Sequence, residues 1–540
     1  VSPPIAAEDH SGPTHWDTLL AAAIGLLSLA LYVRTLAPGL LPGDSGEFQT
    51  LAILLGHTHP TGYPVYLVLA RLLSLLPIGD TAWRVNLFSA VMAAWTVAGV
   101  YAAGRLLTRR RAVAASSALA LAVSPTFWSQ AIIAEVYTPG AAFLIWILVA
   151  LLRWDATGRP HALFVAGLLG GLSLGVHMSV ALLLPAVLVF VAATLVARQA
   201  PVSIPRSLAS ALGGAVAGLA VLLLVFLLID WNNPTASYFQ SVVEPSRSAW
   251  GLSAEQIDGP FDQLLFGWSA RQFRSFMFAN PIAVMPNLAG RYWGNLPSEL
   301  AWPMIVLADI GALGLLVRRP RAAALLLVAL LTQWLCTFNY DIWDLYVFFI
   351  PSYVLLAVLA AAGLGVVVDI VGRLVSRWGN GRALADVVLA ALVLIVAVWP
   401  VFQPRLDAVR QGKVAFTSDD SDEYPASAHS SSEDLQALLR PSLIDAPENA
   451  IIFLDWDRLY PSYYVAHIEL GRSDLMFVET YAADDQRGLA SSVLEFIATH
   501  QAEHPVFVSD RLPELLAAGY SLAPLRVGPT RLYRVVRRDE

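Results

Sequence analysis

Over 540 residues, hydrophobic side chains make up 57% and charged ones 14%, against roughly 45–50% and 25% in a soluble globular protein. The net charge of −7 argues against a nucleic-acid surface, and a single cysteine, Cys336, excludes an intrachain disulfide. Leu, Ala and Val runs fill the first 400 residues, whereas 22 of the 41 acidic residues fall in 402–540, dividing the chain into a membrane domain over 1–401 and a water-soluble domain over 402–540.

A spanning helix needs about 20 mostly apolar residues. Runs of that kind lie at 17–36, 84–106, 112–128, 137–153, 161–176, 179–197, 208–229, 300–317, 322–338, 345–369 and 383–401. The expected fold class is therefore an all-α polytopic membrane protein with about 11 transmembrane helices, followed by a small C-terminal α/β soluble domain. The first run is long and no small-residue cleavage site follows it, which predicts a retained helix rather than a signal peptide. Segment 62–77 is apolar but short, and it carries Arg71 in its middle. If it stays on the surface, the arginines at 105–111, 153–159, 198–206, 318–321 and 373–382, fourteen in all, share one side. The positive-inside rule makes that side, with the N-terminus, cytoplasmic. The other side then holds the loops 37–83 and 129–136, the segment 230–299, the turn 339–344 and, after an odd number of crossings, the soluble domain. A bacterial cytoplasmic membrane is the expected location.

The chemistry begins directly after the first helix, at Pro42-Gly43-Asp44-Ser45-Gly46-Glu47-Phe48. Asp44 suits the cap of a helix starting near Ser45, and Glu47 stands where a capping box places its acid. Capping explains the spacing but not the setting, since ionisable groups at a membrane boundary are costly unless paired or used. His57 and His59 follow, in Gly56-His57-Thr58-His59-Pro60-Thr61-Gly62-Tyr63-Pro64. In an extended strand they face the same way and offer a metal or an anionic group. No third ligand follows at a recognisable spacing, so a structural zinc is not expected and a divalent metal is not indicated. Contact with phosphate or sugar and simple loop packing both remain open for this pair.

In the second outer loop Glu135 is the one acid between Asp80 and Asp155, and Tyr137 and Pro139 open the next helix. His177 sits in a tight outer turn. Asn339-Tyr340-Asp341-Ile342-Trp343-Asp344 sets Asn339, Asp341 and Asp344 among aromatics, a mixture that suits a saccharide through ring stacking and carboxylate–hydroxyl hydrogen bonds, or an aromatic belt at the interface. Arg71, Arg84, Arg271, Arg274 and Arg291 are the outer-side arginines available to a phosphate. In the soluble domain Ile451–Asp455 and Val506–Asp510 read as strands with a helix over 486–500 between them. Their aspartate ends offer a binding edge, and 417–435 reads as a link or surface loop. An accessory role, such as acceptor binding, is expected of this domain rather than catalysis.

Gly43-Asp44-Ser45-Gly46-Glu47, then His57-Thr58-His59-Pro60-Thr61-Gly62-Tyr63-Pro64, then Arg84-Val85-Asn86-Leu87 resemble the signature of the DUF2723 family of TMEM260-like membrane O-mannosyltransferases (glycosyltransferase family 117). Asn339–Asp344 ahead of Leu345–Pro351 resembles a later region of that family, and the likeness covers about residues 17–400. It implies a GT-C-like fold and transfer of a sugar, mannose by the family's activity, from a polyprenyl-phosphate donor to an extracytoplasmic protein or glycan hydroxyl. It also makes Asp44 the leading base with Glu47 its nearest rival. Glu135 falls where related enzymes carry a second outer-loop acid, but without an adjacent aspartate, so no metal role is implied. Substrate contacts are expected from His57, His59, Tyr63, Arg71, Arg84, Glu135, Tyr137, His177, Asn339, Asp341 and Asp344. A transporter or flippase would predict inverted repeats and polar groups at the midplane. A lipid-phosphate hydrolase would use the same pocket with water as acceptor. The clustering of ionisable residues on one side favours the transferase.

Overall fold

Uninterrupted apolar runs become helices because in a bilayer every backbone group must be satisfied within its own segment. In the computed structural model, which describes residues 14–197, 203–375, 381–410, 428–482, 488–528 and 530–537, nine helices are long and apolar enough to cross a membrane. They are His15–Thr35, Thr81–Thr108, Tyr137–Thr157, Met178–Ala197, Ile204–Asn232, Pro281–Arg318, Pro320–Thr337, Leu345–Val375 and Ala383–Pro404. The eleven expected runs are all helical, but two are not full spans. Run 112–128 is the pair Arg111–Ala122 and Pro125–Ala131, bent by 70°, because Pro125 lacks the N–H that would continue the ladder and disfavours helix at Ser124. Run 161–176 shortens to Pro160–Ser173. The described count is therefore nine, or ten if the bent pair is one span. Conversely, run 300–317 extends back to Pro281, taking in the end of the expected outer segment, with a break at Ala301 (φ 57°). Pro64–Ser74 is a separate helix of 11 residues, too short to cross.

Helix contacts in the membrane region rely on small residues. Gly167 and Gly171 on one helix face Gly214 and Gly218 on another so closely that a Cβ at any of the four would meet the partner's backbone. At the ends of the helices remote from the first outer loop, arginines pair with the few acids present. Arg105 and Arg111 hold Asp17 at 2.9 and 2.8 Å, Arg110 and Arg318 each reach Asp369 at 2.7 Å, and Arg321 reaches Asp155 at 3.1 Å.

The soluble domain carries β1 (Ile451–Leu454), β2 (Met476–Glu479), β3 (Val506–Val508), β4 (Tyr520–Val527) and β5 (Thr530–Arg537), in the order β2-β1-β3-β5-β4. β1 runs parallel to both neighbours, with Ile451 opposite Met476 and Val506, and β5 is antiparallel to β3 and β4. The parallel strands are buried on both faces, as parallel sheets are. The helix expected over 486–500 is Ser491–His500. Of the link expected over 417–435, residues 417–427 lie outside the described residues and 428–435 open the helix Ala428–Ile444.

This domain is seated on the membrane domain. Tyr463 Oη donates to Thr235 O at 2.9 Å, Ala82 N to Tyr464 Oη at 3.1 Å, and Ser492 Oγ to Pro245 O at 2.8 Å. The helix Trp456–Tyr463, which follows β1, lies against the helix Gly43–Leu54.

Candidate active site

A buried amide network sets the first outer loop. The Gln49 side chain accepts from Leu41 N at 2.8 Å and donates to Gly39 O at 3.0 Å and to Asn86 Oδ1 at 2.7 Å. Asn86 in turn donates to Ala37 O at 3.1 Å. So held, the helix begins at Gly43 with Pro42 as its N-cap and no side-chain cap. Neither acid serves the capping box that its spacing allowed. Asp44 Oδ1 instead accepts from Trp456 Nε1 at 2.7 Å. Glu47, fully buried, accepts from His59 N at 2.7 Å and lies 2.5 Å from His59 Nδ1.

The two groups form a buried, hydrogen-bonded acid–imidazole pair. Burial works against a charged ring, but the Glu47 carboxylate, with Asp44 and Asp344 behind it, outweighs burial and pushes His59 up to about 9. Tyr63 Oη lies 3.4 Å from His59 Nε2, and the Tyr63 ring stacks on His177 at 6.1 Å. His177 is driven the other way, down to about 4, by burial and then by His59, so at neutral pH it is an uncharged ring bonded to Ser179.

Glu135 is locked through its backbone to Ser89, each bond at 3.1 Å, and Ser45 Oγ lies 3.5 Å from its carboxylate. Burial first, then Asp44 and Asp344, push its carboxyl well above the usual range. Tyr137 Oη donates to Asp344 Oδ2 at 3.2 Å, and Phe348 closes on Tyr137 and His177 at 5.4 and 5.6 Å. The structure thus gathers Asp44, Glu47, His59, Tyr63, Glu135, Tyr137, His177 and Asp344 around one site, from segments 300 residues apart in sequence.

Other expected residues lie elsewhere. His57 does not share a face with His59: its Nε2 is 3.4 Å from Asp230, and its ring packs on Phe226 at 4.6 Å. With Thr58, Thr61, Phe239 and Trp268 it lines a separate small cleft. Asn339 and Asp341 stitch their turn to the outer segment, where Phe278 N donates to Asn339 O at 2.7 Å and Asp341 N to Phe276 O at 3.0 Å, and the Asp341 side chain is exposed. Arg84 holds the turn before its helix, donating to Leu76 O at 2.8 Å and Ile78 O at 3.3 Å. Arg71 lies half-buried on its short helix. Arg271 and Arg274 donate to the carbonyls of Trp250 and Ser269. Among the described residues no group of three or more His, Cys, Asp or Glu is arranged to hold a metal ion.

Two residues at the site were not anticipated from sequence, Trp456 and Ser45. Trp456 lies between Asp455 and Asp457 just past a parallel strand, a position where ligands gather. Burial, then Asp455 and Asp44, push the Asp457 carboxyl up, which puts this strand end beside the acids.

Residues 44–200 match the family model of the "Protein O-mannosyl-transferase TMEM260 N-terminal domain". Protein O-mannosyl-transferase TMEM260 of Mus musculus is 28% identical over 170 residues, 31% of this chain and 24% of that protein. The Dictyostelium discoideum protein of the same name is 26% identical over 121 residues, 22% of this chain and 15% of that one. The chain therefore spans a quarter or less of these curated relatives. Among solved structures, ArnT from Cupriavidus metallidurans in the apo state aligns over 98% of this chain and 99% of its own, with a TM-score of 0.53 and 16% identity. The same protein bound to undecaprenyl phosphate gives 0.52 and 15%, over 97% and 98%. The fold extends over both the membrane and the soluble domain.

Proposed function

We propose, from the match of residues 44–200 to the model of the TMEM260 O-mannosyl-transferase N-terminal domain, that this chain is a membrane glycosyltransferase moving a sugar from a polyprenyl-phosphate donor to an acceptor hydroxyl. The sugar is mannose, as the family name implies, and the acceptor is a protein Ser/Thr or a glycan. Asp44 takes the acceptor proton as the hydroxyl oxygen attacks the anomeric carbon, and direct displacement inverts that centre. The observation that carries this reading is the carboxylate of Asp44, which stands at the mouth of the buried acid–aromatic cluster. There one of its oxygens is fixed by Trp456, and the other takes no hydrogen bond among the described residues.

With Arg84, Arg271 and Arg274 bonded to backbone carbonyls, the departing phosphate is met by the His59 imidazolium and by the Glu135 carboxyl, which burial pushes well above the usual carboxylate range. Glu47 then serves as the counter-ion of His59 rather than as a second base. Tyr63, Tyr137 and Asp344 form the wall for the sugar. ArnT, which shares the fold, is known bound to undecaprenyl phosphate, and that supports a polyprenyl phosphate as the lipid here.

The topology that goes with this reading has eleven crossings, the nine long helices with the bent pair and Pro160–Ser173 added. The N-terminus and the arginine–acid pairs then lie in the cytoplasm, and the acid cluster and soluble domain lie outside a bacterial cytoplasmic membrane, where the 402–540 domain helps position the acceptor.

The test is transfer from radiolabelled polyprenyl-phosphate mannose by purified protein, with membrane extract as acceptor. Asp44→Asn is expected to lower turnover by about 10²–10⁴ while still binding the donor. A mutant as active as wild type removes Asp44 from the chemical step. A wild type that neither binds nor turns over any of several lipid-linked sugars overturns the donor assignment and moves the transporter reading to the front.

A further inference from the structure

One side chain of the soluble domain enters the acid cluster. β1 is followed by Asp455, whose carboxylate accepts from Arg458 N at 3.0 Å and so starts the helix Trp456–Tyr463. Trp456 is the first residue of that helix. Its ring stands edge-on to Tyr460, Tyr238 and His59, at 5.3, 6.1 and 6.2 Å, so rings from three parts of the chain surround it and fix its direction. The indole N–H can only donate, and here it donates to Asp44 Oδ1 at 2.7 Å, a charge-assisted bond.

The approach is built into both helices. A Cβ at Gly46 would lie 3.1 Å from the Pro461 ring and would collide with Leu41 O, and Thr50 Oγ1 donates to Tyr460 O at 2.9 Å. The helix carrying Trp456 is therefore clamped along the helix carrying Asp44, and the indole cannot drift from the carboxylate without undoing that contact.

We propose that Trp456 is a positioning residue for Asp44, and that the soluble domain completes the active site through it. The inference rests on Asp44 being the base. A carboxylate that turns freely presents either oxygen in many directions. With Oδ1 held by the indole, Oδ2 is directed toward the acceptor. In the step itself the acceptor oxygen forms its bond to the anomeric carbon, the bond from that carbon to the phosphate oxygen breaks, and the electron pair leaves with the lipid phosphate. The acceptor proton passes to Asp44 Oδ2, and Trp456 keeps its own proton throughout.

The experiment uses the full-length protein, with steady-state transfer from polyprenyl-phosphate mannose, donor KM and thermal midpoint measured for Trp456→Phe and Asp44→Asn. The phenyl ring keeps the packing and removes the N–H. Trp456→Phe is expected to lower kcat about ten- to hundredfold, leaving donor KM within about twofold and the thermal midpoint unmoved. Unchanged kcat overturns the proposal. So does a loss that appears as a raised KM and a lowered midpoint, the pattern of a packing role. Should the phenyl variant fail to fold, Trp456→Leu serves the same comparison. A fully active Asp44→Asn defeats the underlying assignment of the base, whereas an inactive Asp44→Asn beside a fully active Trp456→Phe defeats only this inference.

Discussion

His59 and Glu47 make one unit, because the carboxylate is fully buried and takes both the backbone N–H and the ring nitrogen of the same residue. The ring's folded value of about 9 lies above its ordinary 6.5, so the sign of its contribution follows. The ring's share of the stabilisation is complete below pH 6.5 and is lost as pH rises through about 9. The thermal midpoint of wild type is therefore expected to fall across that window. In Glu47→Gln, where the ring has lost its principal partner, the same window should be nearly flat, and equal slopes in the two proteins would refute the pairing. The types of these residues were readable from sequence, since two acids and two histidines near a membrane surface need partners. Their pairing was not. Which histidine met which acid was decided by tertiary contacts, His57 turning to Asp230 and Phe226 and His59 to Glu47, so that the two part company instead of sharing a face.

The helix Gly43–Leu54 shows the same division one level up. Its existence was legible, but the reason for its glycines was not. Gly46 acts as a seat for Pro461, a contact between residues more than 400 apart that no local pattern encodes. Gly46→Val should therefore do more than the usual cost of a branched residue in a helix. It is expected to push the helix Trp456–Tyr463 away, lower the thermal midpoint and reduce transfer together. A variant with normal midpoint and normal turnover would show that the seat is dispensable. The membrane helices divide along similar lines. Runs with a clear apolar length, such as 137–153 and 208–229, became Tyr137–Thr157 and Ile204–Asn232. Run 112–128 bends within its length, and an apolar count is blind to the bend that Pro125 imposes. Run 161–176 was overextended because Leu174–Val176 are apolar yet belong to the turn leading to His177.

At the scale of the whole chain, the candidate active site is composite. Asp44, Glu47, His59 and Glu135 come from the stretch that matches the family domain, Asp344 comes from a turn far beyond it, and Trp456 comes from the soluble domain. Composition alone separated the membrane and soluble parts, because the density of charge changes sharply near residue 400. An accessory role was the expectation for the second part, because the Trp456–Asp44 contact joins residues 412 apart and leaves no local pattern. The docked face includes Tyr463, Tyr464 and Ser492, each bonded to the membrane domain, and the fully buried ring of Tyr460. Ending the chain after residue 410 keeps every long apolar helix, so the truncated protein should still insert in the membrane and still bind the lipid donor. Without Trp456 to hold Asp44, its turnover should fall below about a hundredth of wild type. An accessory domain that only gathers acceptor would give a different result, with the maximal rate recovered at high acceptor concentration and only KM raised. Measuring transfer across an acceptor series separates the two, and recovery of the full rate would return the soluble domain to the accessory role that composition assigns it.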